Sequence, residues 1–216
     1  MKKLKYIAPV LIAVACLGLQ QAKAITTYSL SAGNSAISGF PAPYGSASVS
    51  LSGNTATITF TAANTAAFQY LFGDGGSVAV NVNGAFTLGA ITGTQLPGFG
   101  PTTYSNGGAG NEDGFGSFNL TINSSQGYTD ASNSITFTLT GSWANEGSVL
   151  TANANGAFVA AHIFVAAFPA NVHAGALATG FAASGGAVNT PDGGTTVMLL
   201  GAALGVLGMA RRFLRI

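Results

Sequence analysis

The stretch that most restricts how this chain can fold is 46–61, where small or apolar residues alternate with hydroxyl residues at nearly every step. A period of two is the spacing of a strand with one buried and one wet face. Gly53-Asn54 interrupts the alternation and reads as a two-residue hairpin turn of the II′ kind. That turn pairs Leu51 with Ala56, Val49 with Ile58 and Ala47 with Phe60 on one face. Ser52, Ser50 and Ser48 then meet Thr55, Thr57 and Thr59 on the other. A slip of one residue would set serine against Ile58 and Phe60, so the register is strongly specified.

The rest of the body carries the same signature. Strands are expected over 25–30, 67–72, 115–123, 134–140, 157–168 and 176–182. The segment 157–168 is apolar on both faces and should be the most central strand. In 77–88, a loop of Val82, Asn83 and Gly84 would pair Val80 with Phe86 and Val78 with Leu88. Residues 93–114 are Gly, Pro, Asn and Thr with little periodicity and read as a long loop, and 148–152 reads as a helical turn. Short strands without long helices predict an all-β body over 25–183, an antiparallel β-sandwich of jelly-roll-like kind, with 184–190 as a linker.

Charge is distributed unevenly. Every cation lies near a terminus (Lys2, Lys3, Lys5, Lys23, Arg211, Arg212, Arg215), and none lies between Ile25 and Thr190. The acids of that span are Asp74, Glu112, Asp113, Asp130 and Glu146. A body without cations cannot neutralise phosphates, which excludes nucleic acid and anionic membrane surfaces as partners of this region. Its solubility has to come from Ser, Thr, Asn and Gly.

The two ends read as membrane-directed. Lysines, an apolar run over 6–19 and the small-x-small triplet Ala22-Lys23-Ala24 make 1–24 a secretory signal peptide cut after Ala24. Signal peptidase and the Sec export machinery are the implied partners. Cys16, the sole cysteine, is the residue a lipoprotein reading would use, but Ala13 stands where such signals prefer Leu. A cut after Ala24 removes Cys16, leaving a body without disulfides. At the other end, 195–210 holds no charge and would span about 24 Å as a helix, somewhat short of a hydrocarbon core of about 30 Å. Arg211, Arg212 and Arg215 would hold its far end in the cytoplasm as a membrane stop.

Pro191, Asp192, Gly193 and Gly194, then an apolar helix, then a basic cluster, resemble the PEP-CTERM sorting tail of bacterial surface proteins, in the variant with Val-Pro-Asp-Gly-Gly or Val-Pro-Asp-Ser-Gly. Thr190 takes the place of the usual Val. The resemblance covers 191–216 and implies an inner-membrane-anchored precursor in a Gram-negative-type bacterium. It also implies an exosortase that removes the tail and leaves the protein on the cell surface or in the extracellular matrix. The segments 114–122, 149–153 and 160–164, with Trp143, also resemble a body domain common among such proteins, which implies no activity.

Chemistry is sparse in the body. His162 and His173 fall in no metal-binding pair, and lone histidines of this kind are core or rim residues bonded to backbone. No Gly-x-Ser-x-Gly elbow is present. Asn111, Glu112 and Asp113, between Gly110 and Gly114, offer oxygen ligands for Ca²⁺ with Asp74 or Asp130 completing a shell; the competing reading is an acidic turn. Tyr44, Phe99, Tyr104 and Tyr128 fall in loop-like stretches where rings could stack on sugars, against the alternative of packing beneath loops. The expectation is a non-catalytic surface or matrix protein without a cofactor. The other reading is a secreted carbohydrate-binding or carbohydrate-active β-sandwich, with extracellular polysaccharide as partner.

Overall fold

The computed structural model describes residues 24–124, 127–185 and 187–190. They form β1 (Ile25–Leu30), β2 (Ala32–Gly33), β3 (Gly45–Ser52), β4 (Thr55–Ala62), β5 (Phe68–Phe72), β6 (Val78–Val80), β7 (Phe86–Gln95), β8 (Tyr104–Glu112), β9 (Gly116–Ser124), β10 (Ser132–Gly141), β11 (Val159–Ala167), β12 (Ala178–Ala183) and β13 (Ala187–Thr190). Two 3₁₀ turns, Tyr128–Asp130 and Glu146–Ser148, are the only helical pieces among the described residues. No helix there is long and apolar enough to cross a membrane. The expected signal peptide and membrane helix lie outside the described residues, apart from Ala24.

The body is all-β and every strand pairing is antiparallel. The first arm of the hydrogen-bonded network runs β13-β1-β3-β4-β10, with β7 also on β10. The second is built on β11, which takes β12 on one edge and β5 and β6, end to end, on the other. Beyond β6 lie β9 and β8, and beyond β12 lies β2. The arms join where Ser132 pairs with Phe72. This is one branched network, not the two separate four-stranded sheets of a jelly roll. Both arms feed one hydrophobic core: Tyr28, Val49, Phe60 and Phe137 from the first, Phe72, Val80, Ile122 and Ile163 from the second.

The β3–β4 hairpin has the register its alternation dictates, from Ser52↔Thr55 through Val49↔Ile58 to Gly45↔Ala62. Gly53 takes φ 57° while Asn54 stays at negative φ, the pattern of a II′ turn. β11 is the central strand expected. Val159, Ala161, Ile163 and Val165 enter the main core, while Ala160 packs in a second cluster with Phe118 and Phe164 in a third with Leu71.

Four expectations fail for physical reasons. Residues 77–88 do not form a hairpin: β6 pairs with β9 and β11, while β7 goes to β10 in the other arm. The chain leaves the ladder at Val82, whose N–H donates to Asn119 Oδ1 (2.7 Å) and whose carbonyl accepts from Asn119 Nδ2 (2.8 Å). That side-chain amide stands in for a strand partner, and Gly84 at φ 78° turns the chain away. Residues 93–114 are mostly strand, because β8 needs only the backbone of β9 to pair and buries little apolar surface. The helical turn falls at Glu146–Ser148, where Asn145 caps it, and Leu150 instead bridges to Val82. Residues 187–190 of the expected linker pair with β1 as β13.

Candidate functional site

The most chemically loaded part of the body is the break between β5 and β6. Because both strands pair with β11, at Phe72↔Ile163 and Val78↔Ala161, the intervening Gly73-Asp74-Gly75-Gly76-Ser77 bulges opposite His162. The His162 N–H is shared by the carbonyls of Gly76 (3.2 Å) and Ser77 (3.3 Å). The bulge is held by polar staples. Asp74, at φ 69°, donates its N–H to Ser124 Oγ (2.8 Å), and its carbonyl accepts from the Ser77 hydroxyl (2.6 Å). The Gly76 N–H donates to Asn123 Oδ1 (2.9 Å).

The His162 ring stacks on Phe181, with centroids 4.5 Å apart, lies tilted beside Phe164, and has Nε2 at 2.7 Å from Thr179 Oγ1. Nε2 thus has a hydroxyl partner, and the Gly75 and Gly73 carbonyls also face the ring. Burial pushes its pKa down, opposed by the Asp74 charge and the carbonyls of Gly75 and Gly73, so the imidazole is held toward its neutral form. Hydroxyl, imidazole and carboxylate come near one another, but Nδ1 is buried without a hydrogen-bond partner. A catalytic relay needs the carboxylate bonded to that nitrogen. Here Asp74 acts only through its charge. His173 lies exposed in the β11–β12 loop, its N–H donating to Asn171 Oδ1 (2.9 Å).

Asn111, Glu112 and Asp113 do not converge as ligands. Glu112 is 2% exposed, and its carboxyl lies against Gly76, where φ is 64° and any Cβ would overlap it. Burial pushes its pKa up to about 8, so at neutral pH it is mainly the uncharged acid, a poor partner for Ca²⁺. Asp113 instead accepts from Asn34 Nδ2 (3.1 Å). Among the described residues no three His, Cys, Asp or Glu side chains gather as a metal group, so Asp74 and Asp130 complete no shell. A raised carboxyl pKa is also what a general acid needs, but Glu112 lies beneath the surface, beyond the reach of a substrate. Glycine-rich surroundings gave no apolar signal of that burial; only Gly76, left without a Cβ, makes room for it.

The four aromatic rings considered for sugar stacking are packed. Tyr44 is 2% exposed, donates its hydroxyl to the Ile37 carbonyl (3.0 Å) and meets Tyr70 edge-on. Phe99 packs edge-on against Tyr128, and Tyr128 against Phe164. Tyr104 shares hydrogen bonds with Ser132 and Gln95. Each ring covers an otherwise open core edge beneath a loop or at a strand end, so none of the four stands out as a platform.

Of the processing residues, Ala24 immediately precedes β1, while Ala22, Pro191, Asp192, Gly193, Gly194, Arg211, Arg212 and Arg215 lie outside the described residues. The first and last strands of the body meet at its two ends. Ile25 pairs with Thr190, so the β1–β13 ladder closes at the two residues adjoining Ala24 and the Pro-Asp-Gly-Gly motif. Proline has no N–H to extend such a ladder. The body, 25–190, forms a compact unit by itself.

Residues 191–213 match the family model described as the VPDSG-CTERM motif. They form a C-terminal sorting tag of the PEP-CTERM-like kind, which points to export and association with the cell surface. No curated protein and no solved structure matches the chain.

Proposed function

We propose that this is an exported, non-catalytic protein of the cell surface or extracellular matrix. The Sec machinery exports it, signal peptidase frees Ile25, and the C-terminal tail holds it in the inner membrane until an exosortase removes the tail. The observation that carries this reading is the match of 191–213 to a sorting motif, directly after a folded body whose last strand ends at Thr190. The division of labour follows from charge: the cations needed to orient membrane segments are confined to the ends, and the cargo between them has none. The burial of Glu112, which is 2% exposed, supports a non-catalytic role.

The motif is tested by the triple variant Pro191→Ala, Asp192→Ala, Gly193→Ala, with wild-type and variant protein compared in membranes and medium. The variant should accumulate in membranes with Ile216 retained, and little should reach the medium. Release equal to wild type would contradict the assignment of the motif.

A further inference from the structure

The solvent side of the first arm is an ordered array of hydroxyls. Strand register aligns Thr27, Ser48, Thr59, Thr136 and Thr92 in one row across β1, β3, β4, β10 and β7. The rows from Ser29 to Thr94 and from Ser52 to Thr87 are likewise serine or threonine at every position. Between strands the spacing is about 4.8 Å and between adjacent rows about 6.8 Å. The row between those of Ser48 and Ser52 runs Ser50, Thr57, Thr138, with exposed Ile25 at its β1 end and a register shift against β7. All these side chains are half-buried or exposed, and Thr59 and Thr136 bond each other at 3.0 Å.

Solubility alone does not demand this uniformity. Exposed or half-buried strand positions in the other arm carry Asn106, Asn111, Asn119 and Asn123, whereas the amides of these five strands are confined to Asn133 at the β10 register shift and Gln95 at the end of β7. No residue in the five strands is charged, and their aromatic residues point to the core. An anionic partner would find no cation on this face and a cationic one no acid. A hydrophobic protein surface would have to desolvate more than a dozen hydroxyls for little apolar contact.

We propose that this hydroxyl face binds a neutral polysaccharide chain lying across the strands along a row. Such a chain offers uncharged donors and acceptors at a repeat close to one sugar ring, which the interstrand spacing approximates. A planar lattice would need two-dimensional registry, which a twist of roughly 20° per strand destroys over five strands; a single chain can follow the twist. Each hydroxyl contact merely replaces one with water, so retention depends on many contacts along one polymer. The proposal builds on the matrix reading by naming what the body would hold there.

The test uses the full-length chain in mild detergent with amorphous, acid-swollen insoluble β-1,4-glucan, whose chains are individually accessible. Wild-type protein should sediment with the glucan, resist elution by glucose or cellobiose, and elute with a soluble polymeric β-1,4-glucan. The variant Thr57→Val, Thr59→Val, Thr136→Val, Thr138→Val keeps β-branched shapes and removes the Thr59–Thr136 hydroxyl pair as a pair. It should lose retention by about tenfold or more at unchanged Tm. Thr59→Lys should weaken retention too, whereas Ser105→Val on β8 should not. Failure of the wild type to sediment, or equal retention by the quadruple variant, would overturn the proposal, and either result leaves the release experiment on 191–193 unaffected.

Discussion

Glu112→Gln should flatten the pH dependence of stability. In the folded body Glu112 has its pKa pushed up from 4.5 to about 8 by burial. Between those values the folded state binds more protons than the unfolded state, so stability falls as pH rises. Below about pH 4.5 both states are protonated and the carboxyl costs nothing; above about pH 8 the penalty is complete. Its size is on the order of 3–5 kcal/mol, at 1.36 kcal/mol per pKa unit. Wild-type Tm should therefore drop between pH 4 and pH 9 by roughly 6–20 °C more than that of the variant, at about 2–4 °C per kcal/mol for a body of this size. His162 opposes this trend, because its lowered pKa makes protonation unfavourable in the folded state and costs stability at acid pH. Comparison of variant with wild type at each pH isolates Glu112. Parallel curves would show that the acid is not buried as described.

Phe60→Ala should be among the most damaging single substitutions in the core. Phe60 is fully buried on β4, meeting Phe72 of β5 edge-on (6.1 Å) and Phe137 of β10 nearly parallel (6.4 Å), so it links the two arms. Truncating a buried phenylalanine costs about 3–5 kcal/mol, a large share of the roughly 5–15 kcal/mol that holds a domain together. No disulfide offsets the loss, since the chain's one cysteine, Cys16, lies ahead of the body. A fall in Tm of about 6–20 °C is expected by differential scanning calorimetry, with Phe60→Leu recovering much of it. A shift below about 2 °C would mean that the arms do not meet through this ring.

The sequence was most legible where side-chain pattern decides pairing. In β3 and β4 a one-residue slip would bury serine, so alternation and a Gly-Asn turn suffice to set the register. For β11, apolar residues on both faces leave only a central position. Pattern misleads where backbone alone decides. Asn83-Gly84 is a good turn signal, yet Asn119, distant in sequence, caps Val82 and sends β7 to the other arm. In β8 the glycines and asparagines hide a strand that pairs through its backbone and has little apolar periodicity. Burial of Glu112 depends on the missing side chain of Gly76, which no local pattern encodes. The hydroxyl rows were half visible: the serines and threonines of 46–61 were plainly outward, but their continuation onto β1, β10 and β7 is a property of register.

Central to the proposed function is trimming of the chain at both ends of one strand ladder, before Ile25 and after Thr190. The most direct measurement is the intact mass of the protein recovered from culture medium beside that extracted from membranes. The released form should begin at Ile25 and end within 191–194, while the membrane form retains Ile216. Released protein that still carries Ile216 would contradict it.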